Sequence, residues 1–123
     1  MGTAKGVLSQ AQADGVRQAI TTAERRSGLR FGLFLGRPVG AGRPFAERLH
    51  AALGDEAADA VVIMVDVTGR ALEIVTGERA RRRLPDGACR LVALSMAGAF
   101  AAGDLAGGLL HGVAALGEHA AGR

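Results

Sequence analysis

The chain has 123 residues, 49% of them hydrophobic and 22% charged, and carries a net charge of +3. That length suits one domain, which buries about two thirds of its surface on folding, and the apolar content excludes an intrinsically disordered chain. A single cysteine, Cys89, excludes an intrachain disulfide and any multi-cysteine metal site.

Trp and Tyr are absent, and the aromatic residues are Phe31, Phe34, Phe45 and Phe100. The core must therefore be built from Ala, Val, Leu, Ile and Gly, which bury little area each. Lys5 is the only lysine; arginine, alanine and glycine predominate, as in a GC-rich bacterial genome. Met1 to Gly6 contains no apolar stretch of the kind a signal peptide needs, so the expected location is the cytoplasm. Residues 1–7 are expected to be a flexible tail, 8–119 a single domain and 120–123 a second tail.

Ser9 reads as a helix N-cap, with Gln12 completing a capping box. Ala13, Val16, Ile20 and Ala23 recur at helical spacing, and Gly28 supplies the left-handed stop. The expected helix is Gln10 to Ser27. From Leu29 to Leu35, apolar residues at every second position predict a strand with one face fully buried. A loop with glycines at 36, 40 and 42 leads to Pro44, suited to a helix start. That helix is expected to carry Phe45, Leu49 and Leu53 on one stripe and to end at Gly54.

Ala60 to Val67 is a continuous apolar run, expected of a strand covered on both faces. Thr68-Gly69-Arg70 makes a tight turn into a third strand through Leu72, Ile74 and Thr76, so strands two and three form an antiparallel hairpin. Strands one and two, joined through a helix, should be parallel. After Gly77 an arginine-rich helical turn runs to Leu84. Pro85 then opens a helix through Leu91, Leu94, Ser95 and Gly98 to Ala101. Gly103 stops it, and Asp104 caps a last helix with Leu105, Leu109, Val113 and Leu116 on one stripe. The apolar stretch 88–116 resembles a membrane span, but Asp104 cuts it below the roughly 20 residues a span requires; it reads as two buried helices. The expected fold is α/β: a three-layer α/β/α sandwich whose small mixed sheet, two parallel strands plus an antiparallel hairpin strand, is covered by about four helices.

Several catalytic patterns are missing. No GxSxG surrounds Ser9, Ser27 or Ser95. Cys89 has no arginine six residues on, as a cysteine phosphatase loop would need. His111 and His119 lack an HExxH arrangement, and the 36–42 loop matches no phosphate-binding glycine signature. No catalytic residue is assigned. The run Arg79, Arg81, Arg82 and Arg83, with Thr76 and Gly77 before it, offers a basic surface for an anion or a partner. It lacks interleaved aromatics for base stacking, which argues against nucleic acid.

Three segments together resemble the TPM domain family, found in thylakoid-lumen photosystem proteins, in a receptor-modulating protein of animals and widely in bacteria. They are the hairpin VVIMVDVTGRALEIVTG, the Leu84-Pro85-Asp86 that follows Gly77, and Phe100 to Asp104 continuing into Gly107-Gly108-Leu109 and Gly112. The departures from the family pattern resemble its actinobacterial branch of unknown function: Arg81 stands where an acid is usual, and the hairpin turn is Thr68-Gly69. The resemblance implies acid phosphatase activity or divalent-cation binding for some members, with calcium or magnesium as the ion and Asp66, Asp86 and Asp104 as candidate ligands. Topology separates these aspartates, because Asp86 and Asp104 lie at opposite ends of one helix. Asp104 also has a sufficient role as a cap, and Asp86 as a partner of the helix dipole. Two functional readings follow. The favoured one is a non-enzymatic accessory or protein-interaction domain with a protein partner; the other is a divalent-metal-dependent phosphoester hydrolase.

Overall fold

A computed structural model describes residues 7–122. The expected tail at residues 1–7 thus lies almost wholly outside the described residues, as does Arg123 of the second tail. Helix α1 spans Gln10–Ser27. The Gln12 amide donates to Ser9 Oγ at 3.0 Å and the Ser9 amide to Gln12 Oε1 at 2.9 Å, so two orphan donors of the first turn are satisfied reciprocally. Gly28, at φ 78°, ends the helix, and its amide donates to Glu24 O. Strand β1 is Arg30–Gly36.

Helix α2 is Gly42–Ala51, and a 3₁₀ helix, Gly54–Asp59, leads into β2, Ala60–Asp66. Strand β3 is Ala71–Thr76. The short α3, Ala80–Arg83, precedes α4, Asp86–Ala101, and α5, Leu105–Ala121. The sheet order is β1-β2-β3. β1 runs parallel to β2, with Arg30 opposite Ala60 and Gly36 opposite Asp66. β2 and β3 are antiparallel, with Val61 opposite Thr76 and Asp66 opposite Ala71.

Three layers result. On one face Phe31, Val61, Ile63, Val65 and Ile74 pack against α1, α4 and α5. On the other, Met64 and Val75 pack against Ala46, Phe45 and Leu49 of α2. The central strand is therefore buried from Ala60 to Val65, as its unbroken apolar run requires. Helix α5 lies between α1 and α4. Its approach to α1 is close: a Cβ on Gly117 would sit 2.9 Å from the Ala23 Cα.

The open edges of the sheet are occupied by side chains. Glu24 Oε2 accepts the Phe31 amide at 3.0 Å. Arg43 donates to Ile74 O at 3.0 Å and Arg81 to Thr76 O at 2.9 Å. Charged groups seated on edge backbone discourage strand-to-strand aggregation.

Three burial expectations fail. Leu33 and Leu35 are only half-buried, because an open cavity of about 240 Å³ lies between them and Val16 and Ile20 of α1. Leu53 is exposed: α2 ends at Ala51, and the 3₁₀ turn carries Leu53 away, leaving Ala46 as the buried contact. In α4 the inward side is Cys89, Met96 and Phe100, while Leu91 and Leu94 face solvent. The helix is apolar on both sides, so apolar spacing alone could not identify the buried one.

Candidate functional site

The register places the carboxyl ends of β1 and β2, the hairpin turn and Asp66 at one end of the sheet. Ligands of α/β sheets gather outside such ends. A pocket of about 250 Å³ opens here, lined by Val65, Asp66, Arg70, Phe100, Gly103 and Leu105 among others. Asp66 is not free within it: its Oδ1 accepts the Gly69 amide at 2.9 Å and closes the hairpin turn. Arg70 takes φ 55°, a left-handed conformation uncommon for a residue with a side chain. Asp104 stands next to the pocket and caps α5, its Oδ1 accepting the Gly107 amide at 2.9 Å.

Asp86 begins α4 at the other end, about 24 Å from Asp104 at 1.5 Å per residue. It borders a cleft of about 320 Å³ with Arg43, Glu73, Cys89 and Arg90. Arg43 is fully engaged there, with Glu47 at 3.1 Å, Glu73 at 3.3 Å and Ile74 O. Cys89 is buried. Burial first, and the Asp86 charge second, push its thiol up from its ordinary value, against a smaller opposing pull from Arg43. A thiol held protonated is a poor nucleophile.

Most of the basic segment makes contacts within the domain. Thr76 is buried and Gly77 lies against the 3₁₀ turn, its amide donating to Ala60 O at 2.9 Å. Arg79 grips Asp59 through two hydrogen bonds, at 2.9 and 2.8 Å. This contact holds the Asp59 carboxyl below its usual value and raises Arg79. Arg81 serves the β3 edge. Arg83 donates to Ser27 O and Ala120 O, at 3.4 and 3.2 Å, placing a cation at the carbonyl ends of α1 and α5, where helix dipoles favour it. Only Arg82 of the four has no such contact among the described residues. Glu78 is exposed and joins no cluster.

Thus the three candidate aspartates do not converge. Among the described residues no group of three His, Cys, Asp or Glu side chains is placed to hold a metal ion. The histidines lie apart, His50 on α2 and His111 and His119 on α5; His50 Nε2 is buried with no hydrogen-bond partner. Among the described residues, no helix is long and apolar enough to cross a membrane. Sequence reasoning missed Arg43, whose contacts to Glu73 and Ile74 O tie α2 to β3; its only signal was a cation beside Pro44 at a helix start.

The layers, the strand order and the hairpin define a small α/β/α domain with a mixed three-stranded sheet. A model of the TPM domain matches residues 3–119, and the chain belongs to that family. Three solved structures share the fold. The BA42 protein of the psychrophilic bacterium Bizionia argentinensis is 18% identical, with TM-score 0.84 over 98% of this chain and 86% of that one. The N-terminal domain of a P. gingivalis protein is 21% identical, with TM-score 0.81 over 93% and 76%. The N-terminal domain of the cg2496 protein of Corynebacterium glutamicum is 15% identical, with TM-score 0.78 over 93% and 74%. No curated protein matches the chain by sequence.

Proposed function

We propose that this TPM domain is a non-catalytic accessory module that acts by binding a protein partner. The observation that carries the reading is the use made of its aspartates. Asp66 and Asp104 each hold the backbone amide of their own turn, both at 2.9 Å, and Asp86 starts a helix at the far end of the domain. Calcium takes six to eight oxygen ligands, and magnesium demands near-octahedral geometry. Two separately committed carboxylates do not fit that donor set. Of the basic run, Arg82 is the cation left for a partner; an anionic group on that partner is the chemistry it would meet.

The alternative, a divalent-metal-dependent phosphoester hydrolase, draws support from one observation. Asp66, Arg70 and the start of α5 border one pocket at the carboxyl ends of the strands. Titration calorimetry with calcium and magnesium, followed by a generic phosphatase assay, separates the two. The module reading expects no saturable binding at about 1 mM metal, far above the micromolar range of sensor sites, and no turnover. Saturable binding with turnover, both lost in Asp66→Asn, would replace it with the hydrolase.

A further inference from the structure

Arg82 and Arg83 line one cavity of about 470 Å³ with Ala120 and Ala121 of α5. Both contacts of Arg83, to Ser27 O and Ala120 O, leave from Nη1. Its Nε and Nη2 hydrogens therefore have no partner among the described residues. Arg82 is exposed and makes no polar contact among them. A guanidinium carries donors and no acceptor, and the alanine side chains add only methyl groups. Two cations with open donors thus share one recess.

The acids around it are engaged elsewhere. Glu118 pairs with Arg26 at 3.9 Å, Asp59 with Arg79 at 2.8 Å, and Glu24 accepts the Phe31 amide. Asp86 borders the Arg43 cleft. Glu78 is exposed on the turn before α3 and does not line the cavity. Arg25 and Arg26 add positive charge in the last turn of α1. The carbonyl ends of α1 and α5 oppose an anion here. Arg83 covers one carbonyl of each, however, and Arg82 beside it stays unbalanced.

The complement of open donors and positive charge is acceptor oxygen with negative charge. Single-stranded nucleic acid would need aromatic platforms, but Phe31 and Phe100 are buried and Phe34 packs edge-on against Phe45. A single small ion would leave the recess nearly empty, since its volume matches on the order of 15 waters. A lipid surface is flat, whereas these guanidinia line a hollow. We propose, on the binding-module reading, that this cavity docks an acidic segment of a protein partner. Its carboxylates pair with Arg82 and with the open side of Arg83. Exposed pairs are individually weak, so a short segment binds with a Kd on the order of 1 mM.

The test is a ¹⁵N–¹H correlation titration of the unmodified chain with a blocked octapeptide that alternates glutamate and glycine. The peptide is taken to about 10 mM, roughly ten times that Kd. Salt is held at about 0.1 M, where charges more than about 10 Å apart are screened. Saturable shifts are expected at the amides of Arg82, Arg83, Ala120 and Ala121. Arg82→Glu should weaken binding at least about tenfold, through one lost pair and a new repulsion. Arg37→Glu makes the same change in charge at an exposed site beyond the other end of β1, a strand about 23 Å long. It should keep the affinity within about twofold. No saturable shift at these amides would overturn the site. Equal weakening by the two variants would also overturn it, because bulk charge would then explain the binding. Inorganic phosphate that moves the same amides as tightly as the peptide would overturn the choice of occupant, as would tighter binding to phosphatidylglycerol vesicles. All of these failures leave the module reading standing, since that reading falls only to metal binding with turnover.

Discussion

Gly77→Ala is the sharpest test of how the site region is built. Gly77 stands where β3 leaves the sheet, with the 3₁₀ helix 54–59 directly against it. A Cβ at this position would overlap Ala57 O and lie 2.6 Å from Ala58 O. Both obstacles are backbone, so no side-chain rotation relieves them. The segment that must move also accepts the Arg79 amide at Ala58 O and holds the Arg79 guanidinium through Asp59. Overpacking typically costs about 1–3 kcal/mol, and a lost backbone hydrogen bond adds about 1 kcal/mol. The smaller unfolded-state entropy of alanine returns about 0.4–1 kcal/mol. The net expectation is a loss of about 2 kcal/mol, or roughly 8 °C in Tm for a domain of this size. Urea unfolding followed by circular dichroism measures it. A loss below about 0.5 kcal/mol, the range of neutral surface changes, would refute close packing as the reason for this glycine.

Arg83→Ala should lower stability by about 1 kcal/mol, through loss of its contacts to the ends of α1 and α5; Arg82→Ala should stay within about 0.5 kcal/mol in the same urea experiment. The Asp59 carboxyl is depressed in the folded state by Arg79, so its contribution is present above its ordinary value of 3.8 and is lost as pH falls through the lower folded value. Asp59→Asn should therefore flatten acid unfolding below about pH 4, a small effect that salt also suppresses because the pair is exposed; an unchanged acid profile at low salt would contradict the pairing. Cys89 should react with iodoacetamide at pH 8 at least about tenfold more slowly in the folded chain than in urea; equal rates would contradict its burial.

Much of the fold was legible because local signals and tertiary demands agree. Ser9, Gln12 and Gly28 bound α1 by capping chemistry alone, and the run from Ala60 to Val65 announces a strand covered on both faces. Burial was harder wherever a helix is apolar on every side. Nothing in the spacing of α4 distinguishes the Met96 side from the Leu94 side, since the distinction comes from where α5 lies. For the candidate residues, sequence order carried the separation of Asp86 and Asp104 but not the contacts the arginines make. Sequence order already places Asp86 and Asp104 at opposite ends of one helix. It could not show that Asp59, twenty residues before Arg79, would take that arginine, or that Arg81 and Arg83 would seek backbone carbonyls. A run of arginines reads as a surface when each member is considered without its partner.

Asp66 and Asp104 each accept a backbone amide of their own turn, and the proposed module has no metal ion on them. A ¹⁵N–¹H correlation titration with calcium and then magnesium tests it at the two amides concerned, Gly69 and Gly107, which donate to Asp66 and Asp104. Neither resonance is expected to shift in a saturable way up to about 1 mM metal, a concentration that at least half-fills even weak extracellular calcium modules. Saturable shifts at both amides, abolished by Asp66→Asn, would contradict it.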